Sequence, residues 1–254
     1  MKLYYRKGRH LKSSIPKIIH YCWFGGAAYP PLVERCIESW KRQLPDYSFW
    51  RWDESNFDIT SHRFVKEAYE AKKWAFVSDY VRFYVLERYG GIYLDTDVEV
   101  IKSFDPFLHH GAFVGYESRY VLSTAVIGSQ AHHPFTKAMK SLYDKPFIRD
   151  NGIMETVPNT QIVTQLLESS FGLDKTKSKQ LLQNDIEVYP QEYFSPKSYY
   201  DKTLIESEKT VAVHHFDGSW HTKWLRYKRM LHQVFIAFFG KSVHEYLLGK
   251  KHGA

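Results

Sequence analysis

Cysteine is nearly absent from this chain of 254 residues, in which only Cys22 and Cys36 occur. The two thiols do not have the spacing of a Cys-x-x-Cys pair. Their scarcity excludes a disulfide framework and a cysteine-based zinc site. We therefore expect a protein that works in a reducing compartment, the cytoplasm.

Long apolar runs and targeting signals are also missing. The first ten residues are too polar for a secretory signal. The longest purely apolar run near the C-terminus, residues 234–239, is far too short to span a bilayer. We therefore expect that the chain does not cross a membrane. Because no internal repeat or low-complexity linker interrupts the sequence, one domain over residues 1–254 is the simplest organisation.

Nucleic acid is the weakest candidate partner. The chain has no helix-turn-helix pattern, no zinc-finger spacing and no run of five basic residues. The 35 Lys and Arg residues exceed the 28 Asp and Glu residues by 7, and the pI is near 9.1. That balance favours anionic partners such as nucleoside diphosphates or an acidic membrane surface. Aromatic residues make up 17% of the chain, which suits stacking on sugars or nucleosides, although aromatic residues most often fill cores.

Two aspartates stand at i and i+2 in an apolar run that follows a glycine pair. The run is GGIYLDTDV, residues 90–98, and it predicts a strand. On a strand, Tyr93, Asp95 and Asp97 would share one face. Two carboxylates about 7 Å apart on a buried face repel each other unless a cation or a hydroxyl-rich ligand is present. The pattern indicates a metal and sugar-nucleotide site; the alternative is a solvated pair at a strand end.

The segment before this strand, residues 74–89, predicts a largely buried helix that ends at Gly90. Asp79 and Arg82 lie one turn apart on it, among apolar neighbours. Buried charges are costly unless they are paired or bind a ligand. The pair is therefore a candidate for ligand binding, with a purely structural ion pair as the alternative.

Strands alternate with helices along the rest of the chain, which predicts an α/β fold with a mixed, mostly parallel central sheet flanked by helices. The predicted strands cover residues 15–24, 47–52, 112–116, 124–128 and 211–216. The predicted helices cover residues 30–43, 62–73, 134–143 and 159–171. Residues 158–160 are expected to cap the last of these helices, and residues 174–184 to form an exposed loop or short helix.

Four motifs in this order resemble glycosyltransferase family 32, which includes bacterial capsular polysaccharide transferases and yeast mannosyltransferases. The family is more distantly similar to the glucosyltransferase domains of large clostridial cytotoxins. The motifs are IPKIIHYCWFGG (15–26), SDYVR (78–82), GGIYLDTD (90–97) and HHFDGSW (214–220). The resemblance implies a single catalytic domain with a GT-A, Rossmann-like fold, a nucleotide-sugar donor, a divalent metal and retention of anomeric configuration.

The residue roles divide into catalytic, donor-binding and metal-binding sets. Asp97 is our first candidate for metal ligation, because a carboxylate suits Mn²⁺ or Mg²⁺. Asp95 would accept hydrogen bonds from ribose or sugar hydroxyls. Asp79 and Arg82 resemble the pair that holds the donor sugar in the toxin domains, and we expect them, with Asp95, to be catalytic. Trp23 resembles the residue that stacks on the nucleotide base.

Other residues have less certain roles. Tyr93 would add a hydroxyl to the donor site, or is a core tyrosine; Trp23 has the same alternative of core packing. We expect His215 and Ser219 to complete the metal shell and the Trp220 indole to reach a phosphate. His214 points to the opposite face in this interpretation and is expected to be buried. The family often has Thr-Gly-Pro near residues 158–160, where this chain has Pro-Asn-Thr, which leaves the role of that segment open.

The resulting hypothesis is a metal-dependent, retaining hexosyltransferase with a nucleotide-sugar donor, UDP-linked by preference. Its acceptor would be a glycan or a lipid-linked saccharide in surface or capsular polysaccharide synthesis. A metal-dependent phosphotransferase or nuclease is one alternative, although it would need a second acidic cluster. A non-catalytic carbohydrate-binding protein is the other. A basic, amphipathic helical tail at about residues 222–250 would either contact an anionic membrane peripherally or pack on the domain.

Overall fold

The computed structural model describes residues 14–199 and 202–217. The strands of this part of the chain are β1 (Ile18–Cys22), β2 (Ser48–Trp52), β3 (Gly91–Leu94), β4 (Val98–Val100), β5 (Ala112–Ser118), β6 (Val121–Ser129), β7 (Gln180–Leu182), β8 (Ile186–Tyr189) and β9 (Ala212–His214). The α-helices are α1 (Pro31–Gln43), α2 (Arg63–Glu70), α3 (Trp74–Tyr89), α4 (Pro134–Ser141), α5 (Asn159–Ser170) and α6 (Gln191–Phe194). Within the described residues, every helix is too short or too polar to span a bilayer.

Seven strands form the central sheet in the order β2-β1-β3-β6-β5-β8-β7. Strands β1, β2 and β3 pair in parallel, β6 pairs antiparallel with both β3 and β5, and β8 is parallel to β5. Since β7 is antiparallel to β8, only β6 and β7 run against the other five strands. The predicted α/β fold with a mixed, mostly parallel sheet flanked by helices is confirmed.

The sheet separates two hydrophobic clusters. Because side chains alternate along a strand, β3 sends Tyr93 to one face and Ile92 and Leu94 to the other. The Tyr93 face is covered by helices α2, α3, α4 and α5, and the Ile92 face by α1, α6 and the small β4–β9 sheet. A core on both faces explains why the strand sequences are apolar on both sides.

Helix α3 leads directly into β3 and has the predicted bounds. It ends because Gly90 has φ of 66°, a conformation that favours glycine. The Gly90 amide donates to the Leu86 carbonyl at 2.9 Å. A Cβ atom at Gly90 would also lie 2.7 Å from the Ala131 nitrogen, so no larger residue fits. This tight turn sets the point at which α3 ends and β3, the strand before the acidic pair, begins.

Three local predictions are wrong. Strand β3 ends at Leu94, and residues 95–97 form a turn, in which the Val98 amide donates to the Asp95 carbonyl at 3.0 Å. The acidic residues therefore do not share a strand face with Tyr93. Residues 174–184 include the edge strand β7. Helix α5 has no side-chain cap, because Pro158 occupies the N-cap position.

Candidate functional site

Asp95, Asp97 and His214 form one cluster at the carboxyl end of β3. Each residue offers one ligand atom, and these atoms all lie within 4.8 Å of one another. The turn after β3 supplies the aspartates, and the last residue of β9 supplies the histidine. Carboxylate oxygens and an imidazole nitrogen are a donor set that suits a divalent transition metal such as Mn²⁺.

The turn that holds the aspartates is fixed on both sides. The Asp95 amide donates to the Ala125 carbonyl of β6 at 2.9 Å. Strand β4 then pairs antiparallel with β9, with Val98 opposite His214. The Asp97 carboxylate accepts from the Asp217 amide at 2.9 Å, and its carbonyl accepts from the His215 amide at 3.0 Å. These bonds hold the late segment of the chain against the acidic turn.

The histidine that lies beside the aspartates is His214, and not His215, which was the predicted ligand. His214 Nε2 lies 3.3 Å from Asp97 Oδ1. His215 Nε2 instead interacts with Glu99 Oε2 at 2.8 Å. The two histidines do point to different sides, as the alternation predicts. The β4–β9 register decides which one meets the aspartates, and that register is not visible in the sequence.

The two members of the Asp97–His214 pair stabilise each other's charged forms. Burial alone disfavours ionisation of Asp97, yet the adjacent His214 and the Asp217 amide hold the pKa of Asp97 well below its usual value. Burial likewise disfavours the His214 imidazolium, but the Asp97 charge outweighs it and raises the pKa of His214. The Nδ1 atom of His214 is buried and has no hydrogen-bond partner among the described residues. The hydrogen-bonding capacity of this imidazole nitrogen is therefore not satisfied by the described residues.

Arg82 of α3 connects this cluster to a second acidic residue. Its Nη2 donates to Asp79 Oδ1 at 2.9 Å, and its Nη1 lies 3.3 Å from Asp95 Oδ1. Nη1 also donates to the Thr124 carbonyl of β6 at 2.7 Å. The Arg82 side chain is only 4% exposed. This buried guanidinium bridges Asp79 and Asp95 and thereby fixes the relative positions of the two carboxylates.

Asp79 has a further partner that the sequence did not reveal. Asn159, at the start of α5, donates from Nδ2 to Asp79 Oδ1. Burial raises the pKa of Asp79 to about 7, and the guanidinium of Arg82 acts against that rise. Both known donors use Oδ1, so no described residue bonds to Oδ2. Residues 158–160, whose role the motif comparison left open, therefore reach the site through Asn159.

Tyr93 and Trp23 border the site differently. Tyr93 is 1% exposed. The guanidinium carbon of Arg82 lies over the Tyr93 ring, 4.6 Å from the ring centroid. This burial favours the interpretation of Tyr93 as a core residue that supports Arg82. Trp23 follows the carboxyl end of β1, where it is half-buried. Its indole N–H donates to the Ala27 carbonyl at 2.6 Å, and Tyr29 packs edge-on against the ring. Base stacking on Trp23 stays a prediction.

Glu117 is a third carboxylate at this edge of the sheet. It stands near the end of β5, which runs in the same direction as β3 and is separated from it by β6 alone. Burial raises the pKa of Glu117 to about 7; His214 acts against the rise, and the negative charges of Asp95 and Asp97 add to it. A carboxylate near the end of a buried strand is a signal that sequence analysis could have used.

The remaining predicted residues lie outside the described part of the chain. These are Ser219 and Trp220, together with the predicted tail at residues 222–250. Their roles stay predictions.

Residues 30–114 match the family model described as "Glycosyltransferase sugar-binding region containing DXD motif". The matched range contains Asp79, Arg82, Asp95 and Asp97. The match confirms the predicted enzyme class, a glycosyltransferase, for the region that it covers.

Fungal sequences are among the curated relatives. The chain is 35% identical over 130 residues to inositol phosphoceramide mannosyltransferase 3 of Schizosaccharomyces pombe, covering 48% of this chain and 35% of that protein. It is 36% identical over 149 residues to a mannosyl phosphorylinositol ceramide synthase of Saccharomyces cerevisiae, covering 52% and 36%. The chain thus spans about a third of the length of these relatives. A solved structure titled PaToxG Glycosyltransferase aligns with a TM-score of 0.48 and 19% identity, over 65% of this chain and 72% of that one.

Proposed function

We propose that this protein transfers a hexose from a nucleoside diphosphate sugar to a glycan or lipid-linked acceptor, with a divalent cation held by Asp95, Asp97 and His214. One observation carries the proposal: these three ligand atoms lie within 4.8 Å of one another, and the two aspartates belong to the matched Asp-x-Asp region. Arg82 and His214 offset part of the negative charge of these carboxylates, and a cation between them would offset more of it.

The residues fit such a cation. Two carboxylates and one imidazole suit Mn²⁺, while Mg²⁺ prefers a set made only of oxygens. His214 Nε2 lies 3.3 Å from Asp97 Oδ1, and its buried Nδ1 has no partner in the described segments, which supports a ligand at this imidazole. When bound, the cation would offset the charge of the diphosphate and of the departing nucleoside diphosphate.

The donor sugar would lie against Asp79, Arg82 and Asn159. The free Oδ2 atom of Asp79 can accept a sugar hydroxyl, while Arg82 and Asn159 keep Oδ1 and thereby hold the carboxylate in place. Arg82 also keeps Asp95 aligned from 3.3 Å. A rigid, already bonded pair of carboxylates loses little entropy when it binds a sugar.

Separate observations support the nucleotide, the stereochemistry and the acceptor. The four ordered motifs support UDP as the nucleotide and retention of configuration, through their resemblance to family 32. Basic overall charge, +7, suits an anionic donor. Two of the relatives are named for inositol phosphoceramide lipids, which supports a lipid-linked acceptor over a free sugar.

The alternatives predict different clusters. A two-metal nuclease needs a second group of acidic ligands for a metal about 4 Å from the first. The described residues contain one cluster of possible metal ligands. A lectin would have no use for the buried Asp79–Arg82 pair beside a metal cluster.

A donor panel tests the proposal. The protein is incubated with UDP-glucose, UDP-galactose, UDP-N-acetylglucosamine and GDP-mannose, each with Mn²⁺, with Mg²⁺ or with EDTA, and release of nucleoside diphosphate is measured. We expect metal-dependent hydrolysis of one donor above the rest. Cleavage of a single-stranded nucleic acid in parallel would favour the nuclease, and sugar binding without turnover would favour the lectin. For the active donor, proton NMR of the first product formed would show whether configuration is retained.

A further inference from the structure

The carboxylate of Glu117 has no assigned task in the site, although it lies at the same edge of the sheet. The half-buried side chain forms no hydrogen bond or ion pair with any residue in 14–199 or 202–217. Every other carboxylate named at the site has a partner: Asp79 and Asp95 pair with Arg82, and Asp97 pairs with His214. A partly buried, unpaired carboxylate is costly, which suggests that it is kept for a ligand.

The position of Glu117 in the sheet indicates which part of the substrate could reach its carboxylate. Strands β1, β3 and β5 all end at one edge, in the spatial order β1, β3, β6, β5. Glu117 is thus two strand spacings from β3, about 10 Å, on the side away from Trp23. If Trp23 is on the nucleotide side and Asp95–Asp97 hold the diphosphate, the sugar and the incoming acceptor lie toward β5.

Glu117 is not a member of the cation cluster. Its oxygens are outside the set of mutually close ligand atoms, which consists of Asp95, Asp97 and His214. It nevertheless stands near the end of β5, at the same edge of the sheet as the turn that follows β3. A carboxylate beside the cluster, but not within it, is suited to a hydroxyl group that approaches the sugar on the face where the diphosphate leaves.

We propose that Glu117 is a catalytic residue that accepts a hydrogen bond, and then the proton, from the attacking hydroxyl of the acceptor or of water. This inference rests on the proposed function. As the attacking oxygen bonds to the anomeric carbon, its proton passes to the Glu117 carboxylate. The bond between that carbon and the diphosphate oxygen breaks, and the nucleoside diphosphate leaves with the electron pair. Attack from the leaving-group face keeps the configuration, in agreement with the proposed retention.

Donor hydrolysis by Glu117→Gln tests the assignment, because water is then the attacking group and no acceptor has to be known. General base catalysis contributes roughly 100-fold or more. We expect hydrolysis of the active donor to fall on the order of 100-fold at saturating donor and Mn²⁺. The Kd values for Mn²⁺ and for the nucleoside diphosphate, measured by calorimetry, should stay within about twofold. Glu187→Gln is the matched control, since Glu187 lies in β8 next to β5 and pairs with Lys179 at 3.7 Å; it should hydrolyse donor at the wild-type rate.

Chemical rescue gives an independent readout. Added formate should raise the rate of donor hydrolysis by Glu117→Ala at least about tenfold, because a small carboxylate can occupy the vacated space. A wild-type rate in Glu117→Gln, or a loss of Mn²⁺ affinity that parallels its loss of rate, would overturn the assignment; so would a folded Glu117→Ala protein that formate does not activate. If the wild-type protein hydrolyses no donor at all, the proposed function fails first and this inference fails with it. If wild-type activity is present and Glu117→Gln retains it, only this inference fails.

Discussion

The Nη1 atom of Arg82 lies 3.3 Å from the Oδ1 atom of Asp95. The contact joins a residue in the middle of α3 to the first aspartate of the Asp95–Asp97–His214 cluster. Arg82 bonds at the same time to Asp79 on its own helix and to the Thr124 carbonyl. One guanidinium therefore couples the proposed sugar-binding carboxylate to the proposed cation site, and the two sites cannot shift independently.

This coupling predicts a loss of activity for one substitution and a loss of stability for another. Asp79→Asn should abolish donor hydrolysis with little change in melting temperature, because Arg82 keeps Asp95 and Thr124 as partners. Arg82→Ala should lower the free energy of unfolding by roughly 3–5 kcal/mol, because it leaves buried carboxylates unpaired. Thermal melts beside hydrolysis assays separate the effects. An Asp79→Asn protein that melts far lower, but whose folded fraction is fully active, would identify the pair as structural only.

Neighbouring histidines provide a second matched comparison. His214→Ala should weaken Mn²⁺ binding by at least about tenfold, because it removes a proposed ligand of the cation. His215→Ala should leave the affinity within about twofold, since His215 bonds to Glu99. Calorimetric titration with Mn²⁺ measures both. A larger loss in His215→Ala than in His214→Ala would restore the original sequence prediction and contradict the β4–β9 register.

Asn159 should affect the donor and not the metal. Its side chain donates to Asp79 Oδ1, and hydrogen bonds to charged groups are worth about 1.5–3 kcal/mol. Asn159→Ala should therefore raise the KM of the donor about tenfold or more while Mn²⁺ affinity is unchanged. Thr160→Ala is the control, because the Thr160 hydroxyl bonds to no described residue. Equal effects of the two variants would mean that the start of α5, and not the amide, is responsible.

Stability should depend on the protonation of His20. Its Nδ1 accepts from the Trp52 indole at 3.1 Å, so Nε2 carries the proton and donates to the Gly90 carbonyl at 2.8 Å. Burial lowers the pKa of His20 from 6.5 to about 4, although the bond to Gly90 acts the other way. The unfolded chain therefore binds this proton more readily, and the contribution of neutral His20 is complete above pH 6.5 and is lost as the pH falls toward 4.

Urea unfolding measures this effect against His20→Gln. A pKa that moves from 6.5 to about 4 corresponds to about 3 kcal/mol. The stability difference between the wild-type protein and the variant should shrink by up to that amount between pH 7.5 and pH 4.5. A difference that stays constant with pH would show that the imidazole is not buried in its neutral form.

Local sequence signals predicted most of the fold. Helix α3 has the predicted bounds because its end is set by Gly90, whose conformation is a local property. The prediction of a single strand through Asp95 and Asp97 was wrong because β3 and β4 belong to different sheets. The turn between them is stabilised by pairing of β4 with β9, more than a hundred residues later, and no window of sequence around the aspartates contains that information.

The site was predictable where residue chemistry was sufficient. Buried charged residues identified Asp79 and Arg82, and acidic spacing identified Asp95 and Asp97, because such groups are costly without a partner. His214 and Asn159 could not be chosen in this way. Strand register selects the first and the packing of α5 against α3 selects the second, so both depend on tertiary structure.

Metal-dependent donor hydrolysis by the wild-type protein and by Asp97→Asn, measured side by side, tests the central claim most directly. We expect wild-type hydrolysis to disappear in EDTA and to return with Mn²⁺. Asp97→Asn keeps the shape of the side chain but removes the charge of a proposed ligand, so its rate with Mn²⁺ should fall on the order of 100-fold or more. Full activity of Asp97→Asn in EDTA would contradict the proposal that a cation at Asp95, Asp97 and His214 supports the reaction.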